Sequence, residues 1–300
     1  MPTIVVPDLL TDLILQLDPP EEETPMPLDE RVIERRLTRL RLAGPELSHS
    51  RRNNLEAVNK LIRLDPYATF GIESVAEYVE RDHPTPAEVL RIVSGVTKCS
   101  QDIEYTEGRG YISPSSTIKG LRAAASAIRN AAVKGGTVVF ATGHPGSMID
   151  FYADLADLVR KLGGRVPDLA RGQVVFQGED RDHVKLVDSM AGVVVLSDTC
   201  AALHTHDAEP MRIMLDDAGT LPDLVVADHG FAGEAINRGI PAVAVMDTND
   251  PGLGVARHLG ANVVLVPMND NRPNVVTREA AALVRVLALD QATSREQAWR

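Results

Sequence analysis

The sequence is poor in cysteine, in aromatic residues and in net positive charge. Two cysteines in 300 residues, Cys99 and Cys200, exclude a disulfide framework and a cysteine-based zinc site, and they favour a reducing, cytoplasmic environment. A formal net charge of −11 argues against a nucleic-acid partner, because phosphate contacts need clustered lysine and arginine. Since aromatic residues make up only 4% of the chain, the core must consist mainly of valine, leucine, alanine and isoleucine.

Long apolar runs and the common nucleotide and hydrolase motifs are also missing. No apolar run approaches the roughly 20 residues of a membrane-spanning helix. The apolar N-terminus lacks the basic region of a signal peptide, so no membrane partner is expected. The sequence contains no G-x-G-x-x-G, no P-loop and no G-x-S-x-G elbow. What remains is a chain long enough for one large α/β domain with a smaller appendage.

Helical signals dominate the first third of the chain. Apolar residues recur at helical spacing in residues 28–42, and Ser48 or Ser50 is placed to cap a second helix. The motif Thr85-Pro86-Ala87-Glu88 combines an N-cap, a proline at the first helical position and a capping-box glutamate. It predicts a helix that continues to about Lys98.

Composition and pattern together predict four parts of the chain. They are an N-terminal segment with an acidic, proline-rich linker (1–27), a helical cap region (28–98), an α/β catalytic domain (99–290) and a tail (291–300). The catalytic domain begins with a loop, residues 99–114. A loop of this length is either a connector or a lid over the site.

Five nearly continuous runs of valine, isoleucine, leucine and alanine are typical of buried parallel strands. They cover residues 137–141, 192–196, 223–227, 240–246 and 261–267. A short strand is predicted at 173–177, and the segment after it is expected to be helical around Val184 and Leu186. The alternation of strands and helices predicts an α/β fold with a doubly wound, mainly parallel, three-layer Rossmann-like sheet and an N-terminal helical region.

Polar residues follow each of the five apolar runs. They are Thr142, Ser197 with Asp198, Asp228 with His229, Asp247 with Asn249 and Asp250, and Asn269 with Asp270 and Asn271. In an open α/β sheet the ligand binds at the carboxyl ends of the strands. We therefore expect these residues to lie on one edge of one sheet and to converge in one cleft.

Histidines and carboxylates in this set have the composition of a metal site. His204 and His206 are spaced i, i+2, which points both rings to the same side of an extended segment. Asp228, Asp247 and Asp250 are the carboxylate candidates, because a charge at the end of a buried strand must be paired or metal-bound. A divalent cation is expected, and Mg²⁺, Mn²⁺, Co²⁺, Ni²⁺ and Zn²⁺ are not distinguished by this pattern.

Several of these residues have a structural alternative. Asp250 is also placed to cap a helix that begins at Pro251. The run Asn269-Asp270-Asn271 is either an outer contact of the metal or a turn. His49 has no ligand-like neighbours in the sequence and is interpreted as a structural or surface residue.

The loop TGHPGS, residues 142–147, has the order strand, glycine loop, helix N-terminus. This order places free N–H groups and the helix dipole towards an anion. Gly143, Gly146 and Ser147 are the predicted phosphate-binding residues, and a tight turn capped by Ser147 is the alternative. His144 and His229 are the catalytic candidates, as proton donors to the leaving group.

Five motifs at these positions together resemble a little-characterised family of phosphatases that is best represented in high-GC actinobacteria. The motifs are ATGHPGSM, LHTHDAEPM, PDLVVADHGFAGEAI, DTNDPGLGVA and VPMNDN. The resemblance covers roughly residues 108–273 and implies an α/β phosphatase. More distantly, DHGFAGE is similar to the D-N-x-G-E metal motif of the damage-control phosphatases. This similarity implies metal ligation by Asp228 and by Asp247 or Asp250, with His229 in place of the asparagine.

The function that the sequence predicts is hydrolysis of a phosphomonoester of a small soluble metabolite by a metal-dependent phosphatase. The metal would activate water and polarise the phosphoryl group, and the glycine loop would hold the phosphate. Two alternatives remain at this point. One is a metal-dependent lyase or isomerase of a phosphorylated sugar, and the other is a non-catalytic ligand-binding module. The oligomeric state is open, with a homo-oligomer as one option.

Overall fold

One sheet carries all of the strands in the described part of the chain. The computed structural model describes residues 29–178, 184–198 and 200–297. The strands are β1 (Val138–Ala141), β2 (Val174–Gln177), β3 (Val184–Met190), β4 (Val193–Ser197), β5 (Ala202–Leu203), β6 (Leu224–Ala227), β7 (Ala242–Met246) and β8 (Val263–Pro267). The fold is therefore of the mixed α/β class with a central sheet.

The predicted parallel strands occupy neighbouring positions in the order β4-β1-β6-β7-β8, and each pair is parallel. In register, Val139 pairs with Val225, and Val226 pairs with Val243. Their carboxyl ends consequently lie on one edge, which confirms the prediction of a shared polar edge. Chain order reverses between β1 and β6, and such a switch point is where open α/β sheets bind their ligands.

The other three strands are antiparallel additions. β2 pairs with β3, β3 with β4, and the short β5 with β4, so the sheet is only mostly parallel. The helix predicted around Val184 and Leu186 is wrong, because these residues lie in β3. A tight turn at Ala191 and Gly192, both with positive φ, joins β3 to β4 as a hairpin. The i, i+2 spacing of Val184 and Leu186 is the period of a strand.

In the described part of the chain, five helices precede the loop of residues 99–114. They are α1 (Glu30–Arg39), α2 (Arg51–Ile62), α3 (Pro66–Thr69), α4 (Glu73–Asp82) and α5 (Pro86–Thr97). The Ser50 side chain caps α2 by accepting from the N–H of Asn53. The predicted capping box of Thr85 and Glu88 is confirmed at the start of α5.

Helices pack against both faces of the sheet. The remaining ones are α6 (Pro114–Ala132), α7 (Pro145–Lys161), α8 (Glu209–Asp217), α9 (His229–Asn237), α10 (Pro251–His258) and α11 (Asn274–Gln297). Val138 and Phe140 of β1 pack in one hydrophobic cluster with residues of α1, α6, α7 and α11. Val139 and Ala141 pack in a second cluster with residues of α2–α5 and α8–α10. This alternation is the period of two that a strand buried on both faces requires.

Both ends of the chain extend beyond the described residues. The predicted N-terminal segment, residues 1–27, lies outside the described residues, as do the last three residues of the predicted tail. Within the described ranges, no helix combines the length and the apolar character needed to cross a membrane.

Candidate active site

The strand ends bring four histidine rings together at the switch point. The ring centroids of His206 and His229 are 4.0 Å apart, and those of His144 and His229 are 4.4 Å apart. His204 stacks on His144 at 4.1 Å. The residues after β1 and β6 therefore lie in one cleft with His204 and His206, whereas Asp198, after β4, is exposed and bonds to its own loop.

Asp228, directly after β6, makes hydrogen bonds with the residues that follow β1. Its fully buried carboxylate accepts from the Thr142 hydroxyl and from the Gly143 N–H, both at 2.6 Å. Oδ1 also lies 3.5 Å from Nδ1 of His229. Burial raises the pKa of the neighbouring Tyr152 hydroxyl well above its usual value, and the charge of Asp228 raises it further. Asp228 therefore holds the loop at Thr142 and Gly143, and its Oδ1 faces the His229 ring.

His229 occupies the centre of the cleft in a strained backbone conformation. Its φ is +44°, in the left-handed region that side chains other than glycine rarely adopt, and its side chain is fully buried. Nε2 lies 3.7 Å from Oδ1 of Asp250 and 3.5 Å from Oδ2 of Asp270. Neither ring nitrogen makes a hydrogen bond to any residue that the structure describes. Burial lowers the pKa of His229, but Asp250, Asp270 and Asp228 raise it above the usual value overall.

Asp247 and Asp250 follow β7 and are both fully buried. Asp250 Oδ2 accepts from the Asp247 N–H at 2.8 Å, and Asp247 Oδ1 accepts from the Thr248 N–H at 2.6 Å. The other oxygen of each carboxylate has no hydrogen-bond donor among the described residues. Asp250 precedes α10 but makes no side-chain capping bond to it. One oxygen of each carboxylate is therefore left for a ligand.

In the metal-free protein, the pKa values of these two carboxyl groups are raised, so their charged forms are disfavoured. Burial, together with the negative charge of Asp270, raises the pKa of Asp250 to about 7, although the neighbouring histidines oppose the shift. Burial, followed by the charges of Asp270 and Asp250, raises the pKa of Asp247 well above its usual value. A strongly perturbed pKa in a cleft is a common property of functional sites.

Asp270, after β8, is a site residue that the sequence left undecided between an outer contact and a turn. It is 1% exposed, and neither of its oxygens accepts a hydrogen bond from the described part of the chain. Oδ2 lies 3.4 Å from Nδ1 of His144 and 3.5 Å from Nε2 of His229. Burial raises the pKa of Asp270, but the two imidazoles hold it well below the usual value. Its position after a buried strand was the signal that it shared with Asp228 and Asp247.

His49 also reaches the site, against the interpretation as an isolated structural residue. Its Nε2 lies 3.9 Å from Oδ2 of Asp247, and its side chain is 21% exposed. Burial lowers the pKa of His49, which favours the neutral ring that metal ligation needs. The residue stands directly before the cap of α2, about two hundred positions from Asp247. No local sequence pattern indicates that His49 and Asp247 lie close together.

His204 and His206 adopt the predicted same-side arrangement. Their Nε2 atoms are 3.1 Å apart, and Nδ1 of His206 donates to the Tyr67 carbonyl at 2.8 Å. The His206 ring stacks on Tyr67 at 3.6 Å. Burial, followed by the nearby imidazoles, lowers the pKa of His204 to about 4. His206 is buried while His204 is exposed, so this pair forms the open side of the cleft.

Several N–H groups of the predicted phosphate loop already donate hydrogen bonds to other residues of the protein. The Gly143 N–H donates to Asp228, and the Ser147 N–H donates to the His144 carbonyl at 3.1 Å. Gly146, at the start of α7, is exposed. His144 is 14% exposed, and its N–H donates to the Thr142 hydroxyl at 2.9 Å. The loop therefore leaves His144 partly exposed and Gly146 exposed.

The loop between α5 and α6 packs over the end of β7. Arg51 of α2, which is 2% exposed, donates to the carbonyls of Asp102 and Tyr105. A Cβ on Gly110 would lie 2.8 Å from Oγ1 of Thr248, so the backbone there touches the residue after Asp247. This contact is compatible with a covering loop held by Arg51.

Comparison with known proteins identifies the family. A protein family described as Phosphatase matches residues 28–288. The chain belongs to this family. Phosphatase SCO2771 from Streptomyces coelicolor is 34% identical over 239 residues, which is 78% of this chain and 86% of that protein. The predicted resemblance to an actinobacterial phosphatase family is confirmed, and the matched span includes every site residue from His49 to Asp270.

Among the described residues, the candidate site contains three groups of side chains that could each hold a metal ion. The ligand atoms in each group lie within 4.8 Å of one another. The groups are His144, His204 and His229; His49, Asp247 and Asp270; and His229, Asp250 and Asp270. No such group in the described ranges includes Asp228 or His206, two of the predicted ligands. They contact the groups instead of completing them.

Replacing Gly143 with alanine is expected to lower the free energy of unfolding of this phosphatase by about 1–3 kcal/mol. A Cβ there would lie 2.1 Å from the Thr205 carbonyl oxygen and 3.0 Å from Nδ1 of His229, so the histidine segment would have to move. Gly146→Ala is the matched control, because a Cβ at that position meets no described atom within 4 Å. Urea denaturation of both metal-free variants measures the difference. Equal stability of the two would contradict a packing role for Gly143.

Proposed function

We propose that the chain is a metal-dependent phosphomonoesterase that hydrolyses the phosphate ester of a small soluble metabolite. The observation that carries this proposal is the convergence of His229 Nε2, Asp250 Oδ1 and Asp270 Oδ2. The imidazole nitrogen lies 3.7 Å and 3.5 Å from the two oxygens, and all three side chains are buried. Membership of the Phosphatase family supplies the reaction class.

The separations within this group fit ligands of one ion better than hydrogen bonds. An N–H···O bond has a heavy-atom distance of about 2.7–3.2 Å. Two neighbouring ligand atoms, each about 2.1 Å from one cation, lie about 3.0–3.4 Å apart. The observed 3.5 Å and 3.7 Å are close to the second range. Buried polar atoms that lack a hydrogen bond are costly unless something else binds them.

Asp228, predicted from the sequence to bind the metal, has a positioning role in this proposal. Both of its oxygens already accept short hydrogen bonds from Thr142 and Gly143, and Oδ1 faces Nδ1 of His229. A carboxylate in this position fixes the tautomer and the orientation of a ligating histidine. We therefore propose His229, Asp250 and Asp270 as ligands and Asp228 as the residue that positions His229. His204 and His206 then line the open side of the cleft.

The residues around His229, Asp250 and Asp270 would each have a separate role in hydrolysis. A divalent cation in this site supplies positive charge for the phosphoryl oxygens and makes a coordinated water more acidic. His144, partly exposed and 3.4 Å from Asp270, is the proposed proton donor to the leaving alkoxide. The N-terminus of α7, with the exposed Gly146, would face the phosphate with its positive dipole end, and Gly143 and Ser147 would shape that loop.

Two finer features of the proposal concern the fold and the compartment. The order β4-β1-β6-β7-β8, with helices on both faces, supports a doubly wound, Rossmann-like description of the parallel part of the sheet. Cys99 and Cys200 are both free thiols, which supports a reducing, cytoplasmic environment.

Removal of metal is expected to abolish phosphate release, and one of Mg²⁺, Mn²⁺, Co²⁺, Ni²⁺ or Zn²⁺ is expected to restore it. The measurement is inorganic phosphate released from a panel of phosphomonoesters by chelator-treated and reconstituted protein. Product analysis by mass spectrometry runs in parallel. Isomerised or cleaved carbon skeletons without phosphate would indicate the lyase or isomerase, and unchanged substrates at every metal would indicate a binding module. Full activity in the chelator-treated protein would contradict metal dependence.

A further inference from the structure

A second group of unsatisfied ligand atoms lies beside the proposed metal site. Nε2 of His49 is 3.9 Å from Oδ2 of Asp247, and an oxygen of Asp270 lies within 4.8 Å of both. Asp247 and Asp270 are at most 1% exposed. None of these atoms has a hydrogen-bond partner in the described part of the chain. The distance of 3.9 Å is too long for a hydrogen bond.

Asp270 belongs to both groups. Oδ2 faces His229 and His144, and Oδ1 accepts no hydrogen bond from a described residue either. A carboxylate with two free oxygens between two sets of ligands has the arrangement of a bridge. In two-metal sites of phosphate-processing enzymes the ions lie about 3.5–4 Å apart, a separation that one bridging carboxylate spans.

We infer that the site holds two divalent cations bridged by Asp270, with His229 and Asp250 at the first ion and His49 and Asp247 at the second. This inference rests on the proposed function and specifies how many ions the reaction uses. His49 then links the N-terminal helices to the catalytic edge of the sheet. The second ion would let the site hold both the attacking and the leaving oxygen of an in-line displacement.

The charges in the cleft support two ions. Four buried carboxylates, Asp228, Asp247, Asp250 and Asp270, lie together, and every ion pair that the described residues give them involves a histidine. The proposed ligands His49 and His229 must be neutral to bind metal, so most of this negative charge stays uncompensated. Two divalent cations match four carboxylates, whereas one cation leaves an excess of negative charge in a buried site.

The backbone at His49 is held in a way that a ligand requires. The Gly110 N–H donates to the His49 carbonyl at 2.9 Å, and the Ser48 hydroxyl donates to the Asn271 carbonyl at 2.7 Å. The Arg109 guanidinium donates to the Ser48 carbonyl at 2.8 Å. The segment is thus fixed between the loop before α6 and the residue after Asp270. Such outer contacts position the ligating side chain.

Metal stoichiometry tests this inference directly. Full-length protein is equilibrated with Mn²⁺, and bound metal is measured by equilibrium dialysis and mass spectrometry, with electron paramagnetic resonance as a second readout. The wild type is expected to bind two Mn²⁺ per chain and to show an exchange-coupled signal. His49→Ala is expected to keep one ion, to bind the second at least about tenfold more weakly and to lose the coupled signal.

Two further variants keep the test decisive. Asp247→Asn preserves the shape of the side chain and should weaken the binding of the same second ion. It therefore replaces His49→Ala if circular dichroism shows that the histidine variant is misfolded. His258→Ala, an exposed histidine of α10, is the matched control and should bind as the wild type does.

Each outcome separates this inference from the proposed function. One Mn²⁺ per wild-type chain at saturation would overturn the two-ion site, and metal-dependent phosphate release would then still support the proposed function. Two bound Mn²⁺ that both persist in His49→Ala and Asp247→Asn would overturn the assignment of ligands. Two coupled Mn²⁺ without phosphate release from any ester would support the two-ion site and contradict the proposed function.

Discussion

Asp270→Asn is expected to lower kcat/KM for phosphomonoesters by about 1000-fold, which corresponds to about 4 kcal/mol of transition-state stabilisation. Oδ2 of Asp270 faces His144 and His229, and Asp270 also belongs to the group with His49 and Asp247. The amide keeps the shape of the side chain but removes the negative charge that both ions would share. Bound metal and steady-state kinetics are measured on the same preparation, and both are expected to fall.

Asp198→Asn is the matched control for this substitution. Asp198 also follows a strand on the polar edge, but it is exposed, and the described donors to its Oδ1 are the backbone N–H groups of Cys200 and Ala201. An asparagine oxygen can accept those same bonds, so kcat/KM should stay within about twofold, in line with a surface substitution. Full metal content and a loss of less than about tenfold in Asp270→Asn would remove Asp270 from the ligands.

His144→Ala is expected to reduce kcat on alkyl phosphates by about 10²–10⁴-fold, the usual contribution of general acid catalysis. Burial lowers the pKa of His144, but Asp270, Asp228 and Asp250 outweigh it and raise this pKa to about 9 in the metal-free protein. In the metal-free protein the ring is therefore protonated at neutral pH. The loss should be smaller on an aryl phosphate, because an aryloxide leaves without much help from a proton.

Metal content distinguishes this role of His144 from ligation. His144 also belongs to a candidate group with His204 and His229, so a ligand role predicts that the alanine variant loses metal. A proton donor predicts unchanged metal content and a larger loss on alkyl than on aryl esters. Equal losses on both ester types, with metal retained, would make His144 a phosphate-binding residue instead. His258→Ala again serves as the control and should leave both quantities unchanged.

The parallel strands could be predicted because each is a nearly continuous apolar run. Burial on both faces demands such a run, and β1, β6 and β7 are buried along their whole length. The hairpin of β2 and β3 gave a weaker signal. β3 alternates between partly exposed and exposed residues, with Val187 buried, and this short period-two pattern was mistaken for a helix. Its pairing with β4 depends on the turn at Ala191 and Gly192.

Part of the site followed from the same logic. A polar residue directly after a buried strand must meet the polar residues after neighbouring strands, so Asp228, His229, Asp247 and Asp250 were predicted to lie together. Their individual roles did not follow. Asp228 is engaged by Thr142 and Gly143, while one oxygen of Asp250 and both oxygens of Asp270 accept nothing from the described residues. Which oxygen is free depends on hydrogen bonds made by the folded backbone.

The sequence by itself determined the α/β class, the polar edge and most of the residues that line it. The reason is that a local run of apolar residues predicts a buried strand, and the polar residues after the run show where the strand ends. Only the tertiary structure decided that His49 and Asp270 complete the site. His49 reaches Asp247 because α2 packs against α10, the helix that follows β7, and because Gly110 and Asn271 hold its segment there. Contacts between residues two hundred positions apart follow from the packing of whole elements, and no short stretch of sequence encodes them.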